Sequence, residues 1–320
     1  MIKKKNFCII SYDLISGGSE LNAKKIINHI DNNYFWVSLG NKDKKKILKV
    51  NKLKKKIFLN FKMSNLFNIL KNLNEFIKKN KITIIYAIGM YPSLLASILR
   101  FKHRFKLIIT RRGVIDTFSM FKYFFLFAFI YFRTDKIETN SRSIFNKFKK
   151  SFFFKKKIYL INNLVEKKIF KGPYKRIIKK KSTTLGFALN VRPVKDPSLI
   201  KEIVKIVCNN TDYKFLVVGR DSNNFWKELS SKYKKRLIWL DALNYEKMIN
   251  FYNSIDFLLM TSKSEGSPNI IVEALSNGVP TVSVPIKAND GLIINNYNGI
   301  ISESRSPNEF FNAILKAKKY

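Results

Sequence analysis

Acidic residues are scarce in this chain, and nitrogen and sulfur metal ligands are scarcer still. Its 320 residues hold 22 Asp and Glu against 61 Lys and Arg, a formal net charge of +39. Only two histidines, His29 and His103, and two cysteines, Cys8 and Cys208, occur. So few imidazoles and thiols argue against a histidine-based metal centre, a zinc-finger framework or a disulfide scaffold. Each cysteine lies in or at the end of an apolar stretch and reads as a small core residue of a reducing compartment. No Asp-x-Asp pair is present to hold a divalent metal on a diphosphate. Long apolar runs are missing as well. The most apolar segment, residues 123–132, falls short of the roughly 20 residues a membrane-spanning helix needs. Its flanking Lys122 and Arg133 fit either a buried helix or one dipping into a membrane interface. Met1-Ile2-Lys3-Lys4-Lys5 has the charge of a signal-peptide start, but the apolar run after it, residues 7–10, is too short.

Hydrophobic content of 46% with 14% aromatic is ample for buried sheets and excludes disorder as the main state. The length suits two domains of ordinary size. The charge has three readings: nucleic acid, an anionic membrane surface, or compositional bias. Lys greatly outnumbers Arg, and Asn, Ile and Phe are abundant, which is the usage of an A/T-rich genome. Zinc-finger spacing, the aromatic signature of an RNA-recognition sheet and a recognition-helix motif are all missing, so no nucleic-acid partner is expected. A basic face toward anionic lipid headgroups is expected instead.

Strand and helix patterns alternate along the chain, the mark of a parallel α/β architecture. Strands are predicted at residues 7–12, 34–39, 82–87, 107–110, 136–139 and 158–161, with helices at 19–30, around 66–77, between 87 and 107, and after Ser141. The lysine-rich stretch 42–56 reads as solvated strand edges. Residues 167–181 are basic, contain Gly172-Pro173 and are taken as a link. Strands then recur at 184–187, 215–218, 237–240, 257–261 and 281–284. The expected domains are residues 1–166 and 183–320.

The densest signal is Ser262-Lys263-Ser264-Glu265-Gly266-Ser267-Pro268-Asn269-Ile270-Ile271-Val272-Glu273-Ala274-Leu275, closed by Gly278-Val279-Pro280. A buried strand leads into it, Gly266 permits a sharp turn, Ser267 is a plausible N-cap and Pro268 a natural first helical residue. The helix begins where the strand ends, so its backbone N–H groups favour an anion at the carboxyl edge of the sheet. Glu265 in the turn can accept from hydroxyl groups, and Glu273 can take a vicinal diol with both oxygens. Other motifs also fall at strand ends. Gly17-Gly18 follows the first strand, and Asn190-Val191-Arg192-Pro193-Val194-Lys195-Asp196 follows the first strand of the second half. There, two cations can clamp a diphosphate and stabilise it as a leaving group. Gly219 ends the next strand. Asn289-Asp290-Gly291 and Asn298-Gly299 mark later turns.

The string around Glu265 and Glu273 resembles the E-x7-E signature of family 4 glycosyltransferases, as found in bacterial cell-surface glycan synthesis. The resemblance spans nearly the whole chain, with its specific motifs in residues 184–301. It implies the glycosyltransferase B fold: α/β, two Rossmann-like domains with parallel sheets facing across a cleft. It implies that Glu265 contacts the donor sugar, that Glu273 holds the ribose, and that Arg192 and Lys195 clamp the diphosphate. Gly17, Gly18, Asn190, Gly219, Gly266, Ser267, Pro268, Asn269 and Ile270 complete the implied donor site. Asp241-Ala242-Leu243 sits where such enzymes hold the base through backbone contacts. Many relatives carry a histidine near the position of Arg112 or Gly113, and this chain has none there.

The function these features imply is a retaining, metal-independent hexosyltransferase with no cofactor. Its donor would be a nucleotide-diphosphate sugar and its acceptor a glycan or lipid-linked oligosaccharide. The expected location is the cytoplasm, at the inner face of the cell membrane. Two alternatives stay open: a nucleotide-sugar 2-epimerase of the same fold, and a non-catalytic basic protein that binds membranes or nucleic acid.

Overall fold

The computed structural model describes residues 4–12, 18–29, 31–40, 53–112, 123–163 and 183–318. The chain divides into two compact units, Met1–Leu164 and Val165–Tyr320. In the first, seven parallel strands are β1 (Asn6–Ser11), β2 (Asn33–Ser38), β3 (Leu53–Phe58), β4 (Ile84–Ile88), β5 (Lys106–Thr110), β6 (Lys136–Thr139) and β7 (Ile158–Leu160), in the order β3-β2-β1-β4-β5-β6-β7. β1 lies near the middle because both of its neighbours can cover it: all but its first residue are buried, as expected of a strand with helices on both faces of its sheet. One face packs on Ile69, Leu73, Phe76 and Ile77, the apolar stripe of the helix Leu66–Lys79. On the other, Ala23 and Ile27 of the helix Gly18–His29 meet Ile9, Tyr34 and Trp36.

The second unit repeats this plan with β8 (Thr184–Ala188), β9 (Lys214–Val218), β10 (Leu237–Leu240), β11 (Phe257–Met260), β12 (Thr281–Ser283) and β13 (Gly299–Ile301), ordered β10-β9-β8-β11-β12-β13. Its pairings are parallel throughout. β11 is buried along its whole length. Leu199, Ile200, Ile203, Val204 and Val207 of the helix Pro197–Asn210 cover one face with Phe310, Ala313 and Ile314 of the helix Pro307–Ala317.

Every predicted strand is present, with ends shifted by at most two residues. β6 and β10 match without a shift. β13 has no counterpart in the sequence reading, which took Asn298-Gly299 as a turn. It is three residues long, and Gly299 gives it room. A Cβ there would lie 2.3 Å from the Thr281 carbonyl oxygen, so only glycine lets β13 close on β12. β3 is the lysine-bearing edge expected within residues 42–56, with Lys54, Lys55 and Lys56 exposed, a common guard against edge pairing. The rest of that stretch and the expected link at 167–181 lie outside the described residues. Cys8 is fully buried, Cys208 is half-buried and both are free thiols. Among the described residues, no helix is long and apolar enough to cross a membrane.

Candidate active site

β8 and β11 are neighbours in space, although β9 and β10 come between them in sequence. Strand order reverses there, and the connections leaving the two strands run in opposite directions. They leave a crevice at the carboxyl ends, the usual ligand position in an open parallel sheet. The loop after β8 carries Asn190, Arg192 and Lys195, and the loop after β11 carries Glu265. Their meeting therefore follows from topology.

Lys195 Nζ and Glu265 Oε1 form an ion pair, with about a fifth of each side chain exposed. The loops are also sewn together by backbone: Lys263 N–H donates to the Val194 carbonyl (2.8 Å), and Thr261 Oγ1 donates to the Lys195 carbonyl (2.8 Å). Beneath the pair sits Asp196, a buried residue in the left-handed region (φ 59) that opens the helix Pro197–Asn210. Its carboxylate accepts from Arg305 Nη2 (2.6 Å) and Ser198 Oγ (2.8 Å), with Lys263 Nζ at 3.8 Å. Burial pushes the Asp196 carboxyl upward, but the hydrogen bonds from Arg305 and Ser198 and the charge of Lys263 outweigh it. Its pKa is held below the ordinary carboxylate value. Arg305 also donates to the carbonyls of Ser262 (3.0 Å) and Thr261 (2.9 Å). One guanidinium thus ties the end of β11 to the residue next to Lys195.

Arg192 is exposed and pairs with no carboxylate among the described residues. It precedes a 3-10 turn, Pro193–Lys195, where the sequence reading had a plain loop. Asn190 is exposed, and its Oδ1 accepts from Arg220 N–H (2.8 Å), joining the loop after β8 to the loop after β9. Gly219 has φ 140, and a Cβ there would fall 1.9 Å from the Leu189 carbonyl oxygen. Its glycine is demanded by two backbones pressed together.

The helix expected at the second glutamate is Asn269–Ser276. Its start differs by one residue from the sequence reading. Pro268, not Ser267, occupies the N-cap position, with extended backbone (ψ 106). The Pro268 carbonyl accepts from Ile271 N–H (3.1 Å), so the ring serves the cap and Asn269 is the first helical residue. Gly266 keeps a negative φ, so the turn does not draw on glycine's left-handed freedom; Gly278 (φ 69) does, where it stops the helix. The N–H groups of Asn269 and Ile270 precede any carbonyl their helix can offer. Beside them, the buried Asn269 Oδ1 has no partner. Glu273, one turn on, accepts from the hydroxyl of the fully buried Tyr252 (2.8 Å). Asn289, in the loop after β12, is buried and donates to the Val284 carbonyl (2.7 Å). In the turn after β10, Asp241 accepts from Ala242 N–H (2.6 Å).

Tyr252 and Arg305 escaped the sequence reading, and Asp196 was quoted in its loop without a task. Tyr252 sits in a helix of mixed polarity and Arg305 in a serine-rich turn with no motif around it, so neither stands out locally.

At the carboxyl ends of the first sheet the polar groups face each other. Arg112 Nη2 reaches the Tyr86 hydroxyl and both oxygens of buried Glu138, each at 3.1 Å. Burial pushes the Tyr86 hydroxyl well above its ordinary value, and Glu138 adds to the rise. Nearby, Asn163 Oδ1 accepts from Asn22 and from Asn140 (2.9 Å), all three buried. Gly18 begins the helix Gly18–His29, and Gly17 lies outside the described residues.

Residues 172–319 match the family model described as glycosyl transferases group 1. The C-terminal unit is a group 1 glycosyltransferase domain. The chain is a glycosyltransferase by this domain, and it is similar to an uncharacterised glycosyltransferase of Methanocaldococcus jannaschii, 24% identical over 267 residues, covering 79% of this chain and 70% of the relative. It is also similar to the UDP-Gal:alpha-D-GlcNAc-diphosphoundecaprenol alpha-1,3-galactosyltransferase of Escherichia coli. That likeness is 28% over 148 residues, 43% of this chain and 37% of the relative. Among solved structures, Anabaena HepE in complex with UDP has a TM-score of 0.75 at 14% identity, over 98% of this chain and 90% of that one. The lipopolysaccharide outer core galactosyltransferase WaaB, in its apo form, has a TM-score of 0.71 at 18% identity, over 98% and 90%. At such identities these structures establish the fold, which is the α/β glycosyltransferase fold built on two parallel sheets. This glycosyltransferase thus carries its Lys195–Glu265 pair within the matched domain.

Proposed function

We propose that this glycosyltransferase moves a hexose from a nucleotide-diphosphate sugar to a glycan or lipid-linked oligosaccharide of the cell surface. The anomeric configuration is retained, no metal ion is used, and the reaction takes place at the cytoplasmic face of the membrane. The observation that carries this reading is the Lys195–Glu265 pair at the strand-order reversal, beside a helix start and Glu273. A diphosphate in that crevice meets Lys195, Arg192 and the first N–H groups of the helix Asn269–Ser276, which together offset the charge that grows as the bond to the sugar breaks. Glu265, freed from part of its pairing, accepts from the sugar's hydroxyl groups. Glu273, oriented by Tyr252, accepts from the ribose diol. Gly219, Asn190 and Pro268 shape the loops that hold these groups. Support for the donor class comes from the relatives: one is named for a UDP-Gal donor, and HepE was solved with UDP-glucose. The missing Asp-x-Asp supports charge neutralisation by side chains. The acceptor reading leans on the diphosphoundecaprenol-linked substrate for which that same galactosyltransferase is named.

Calorimetric titration with UDP-, GDP- and ADP-sugars in excess EDTA tests the reading. One donor should bind without metal, and Glu273→Gln should weaken it by about 1.5–3 kcal/mol, the range for hydrogen bonds to charged groups. Binding that disappears in EDTA, or an affinity untouched by Glu273→Gln, rejects it.

A further inference from the structure

The N-terminal unit exposes far more aromatic surface than a soluble domain usually leaves in water. Phe125 is 86% exposed, Phe152 80%, Phe101 70%, Phe153 64%, and Phe124 and Phe132 59% each. Several of these rings form one patch. On the helix Phe124–Arg133, Phe125 and Phe132 stand seven residues apart, two turns along one face. The Phe132 ring lies 5.8 Å from Phe153 and 5.9 Å from Phe154, and Phe152 lies 5.6 Å from Phe153. The turn that carries Phe152 and Phe153 is fastened to the helix end. Lys157 Nζ donates to the carbonyls of Tyr131 (3.3 Å), Phe132 (3.3 Å) and Thr134 (2.8 Å). The patch is therefore built into the fold.

The segment that carries the turn is basic. Residues 139–165 contain no Asp or Glu. Among the described residues, the nearest carboxylates in sequence are engaged, Asp135 with Arg100 and Glu138 with Arg112. Beside the turn lies a groove of about 500 Å³ lined by Lys149, Lys155 and Lys156 with Phe145 and Tyr159. Lys155 Nζ also stands 5.4 Å over the Phe152 ring. Projecting phenyl rings next to an uncompensated lysine groove match the two layers of an anionic bilayer surface, apolar below and phosphate above. A second copy of the chain fits poorly, because each copy brings a net charge of +39. Nucleic acid fits less well than lipid. The rings pack edge-to-face, Phe152 against Phe153 at 87° and Phe132 against Phe153 at 66°, and do not line up as a row of parallel faces for successive bases.

We propose that this face docks the enzyme on an anionic phospholipid bilayer. Phe125, Phe132, Phe152 and Phe153 enter the boundary between headgroups and acyl chains, and the Lys149–Lys155–Lys156 groove takes a lipid phosphate. The proposal rests on the membrane location proposed above and deepens it by naming the surface and the lipid chemistry.

Sedimentation of the full chain with vesicles of phosphatidylglycerol and phosphatidylcholine, against vesicles of phosphatidylcholine alone, tests it. The wild type should bind only the anionic vesicles, and more weakly as salt rises. Phe152→Ser with Phe153→Ser should lower the partition coefficient roughly tenfold. Replacing Lys149, Lys155 and Lys156 by Gln should flatten the salt dependence. Phe125→Ser, on the helix, should weaken binding independently of the turn. All variants should keep the wild-type thermal midpoint and donor-sugar affinity. If the wild type binds neither vesicle, the membrane location falls together with this surface. Anionic vesicles that bind the wild type and the variants equally overturn the surface alone. Tight binding of mixed-sequence single-stranded RNA, lost in the same variants while vesicles remain unbound, assigns the face to nucleic acid and overturns the proposal.

Discussion

The two units place different polar chemistry at the carboxyl ends of the same kind of sheet. In the N-terminal unit the charges are turned on each other: Glu138 is 97% shielded from solvent, and Arg112 spends its Nη2 on Glu138 and Tyr86. The remaining groups there include three buried amides gathered on Asn163. In the C-terminal unit the corresponding groups stay partly open. Lys195 and Glu265 each keep about a fifth of their surface, and Arg192 is exposed. A buried cluster whose charges pair with each other fixes architecture, because removing one partner strands the other; Arg112 Nε and Nη1 are already buried without a partner. A half-open ion pair at a strand-order reversal can exchange partners at little cost.

The sharpest way to break this contrast is to remove one member from each cluster. Glu138→Ala should destabilise the N-terminal unit by about 3–5 kcal/mol, the usual cost of leaving a buried charge unpaired. Donor affinity of the folded fraction should not change. Urea unfolding read alongside calorimetry decides this; a loss under about 1 kcal/mol would mean that Arg112 finds water or another partner.

Lys195→Ala should behave the opposite way. Turnover should fall by about 10²–10³, or roughly 2.7–4 kcal/mol, as when one preorganised donor to a developing anion is lost. Stability should shift by less than about 1 kcal/mol, as for partly exposed pairs. A rise in KM at constant kcat would show uniform donor binding and remove the leaving-group role.

Asp196 sharpens the comparison within the C-terminal unit, as a closed group directly beneath an open one. Its carboxyl is depressed in the folded state, so its contribution is present above the unfolded value near 3.9 and is lost as pH falls through the folded value. Asp196→Asn should cost about 1–3 kcal/mol at pH 7, and the gap to wild type should narrow in acid. Denaturation midpoints measured from pH 7 down to pH 3 check the sign. A gap that widens in acid would contradict the depressed value.

The parallel α/β plan was legible in the sequence because buried strands print as near-continuous apolar runs such as Phe257-Leu258-Leu259-Met260, whatever packs on them. The candidate residues Glu265, Arg192 and Lys195 could be picked out because each stands in the loop just past such a run, at the edge where an open parallel sheet takes ligands, and Glu273 because it follows in the next helix. What the sequence hid was partnership over distance. Arg305 meets Asp196 across 109 residues, and Tyr252 meets Glu273 from a different helix. Neither leaves a periodic trace. β13 was hidden by its brevity, since three residues opened by glycine carry no alternation to read. Ser267 looked like a cap because its residue type favours that position, yet Pro268, held extended, took it.

The placement of β8 at the centre of its sheet also sets an order of events during synthesis. β8 leaves the ribosome first in its unit, but the partner on its far side, β11, must wait for Thr184 to find Asp256, 72 residues later. Lys195 waits 70 residues for Glu265, and Asp196 waits 109 for Arg305. At about 5–20 residues per second, these intervals last on the order of several seconds to twenty. Through that time the edge of β8 is unpaired and exposed to wrong partners. The β8–β9–β10 half should therefore gain protection early and the crevice between the loops after β8 and β11 last. Pulsed hydrogen exchange during refolding should find the amides of β8 and β9 slowed before those of β12 and β13, and simultaneous protection of all four would contradict this sequence of assembly.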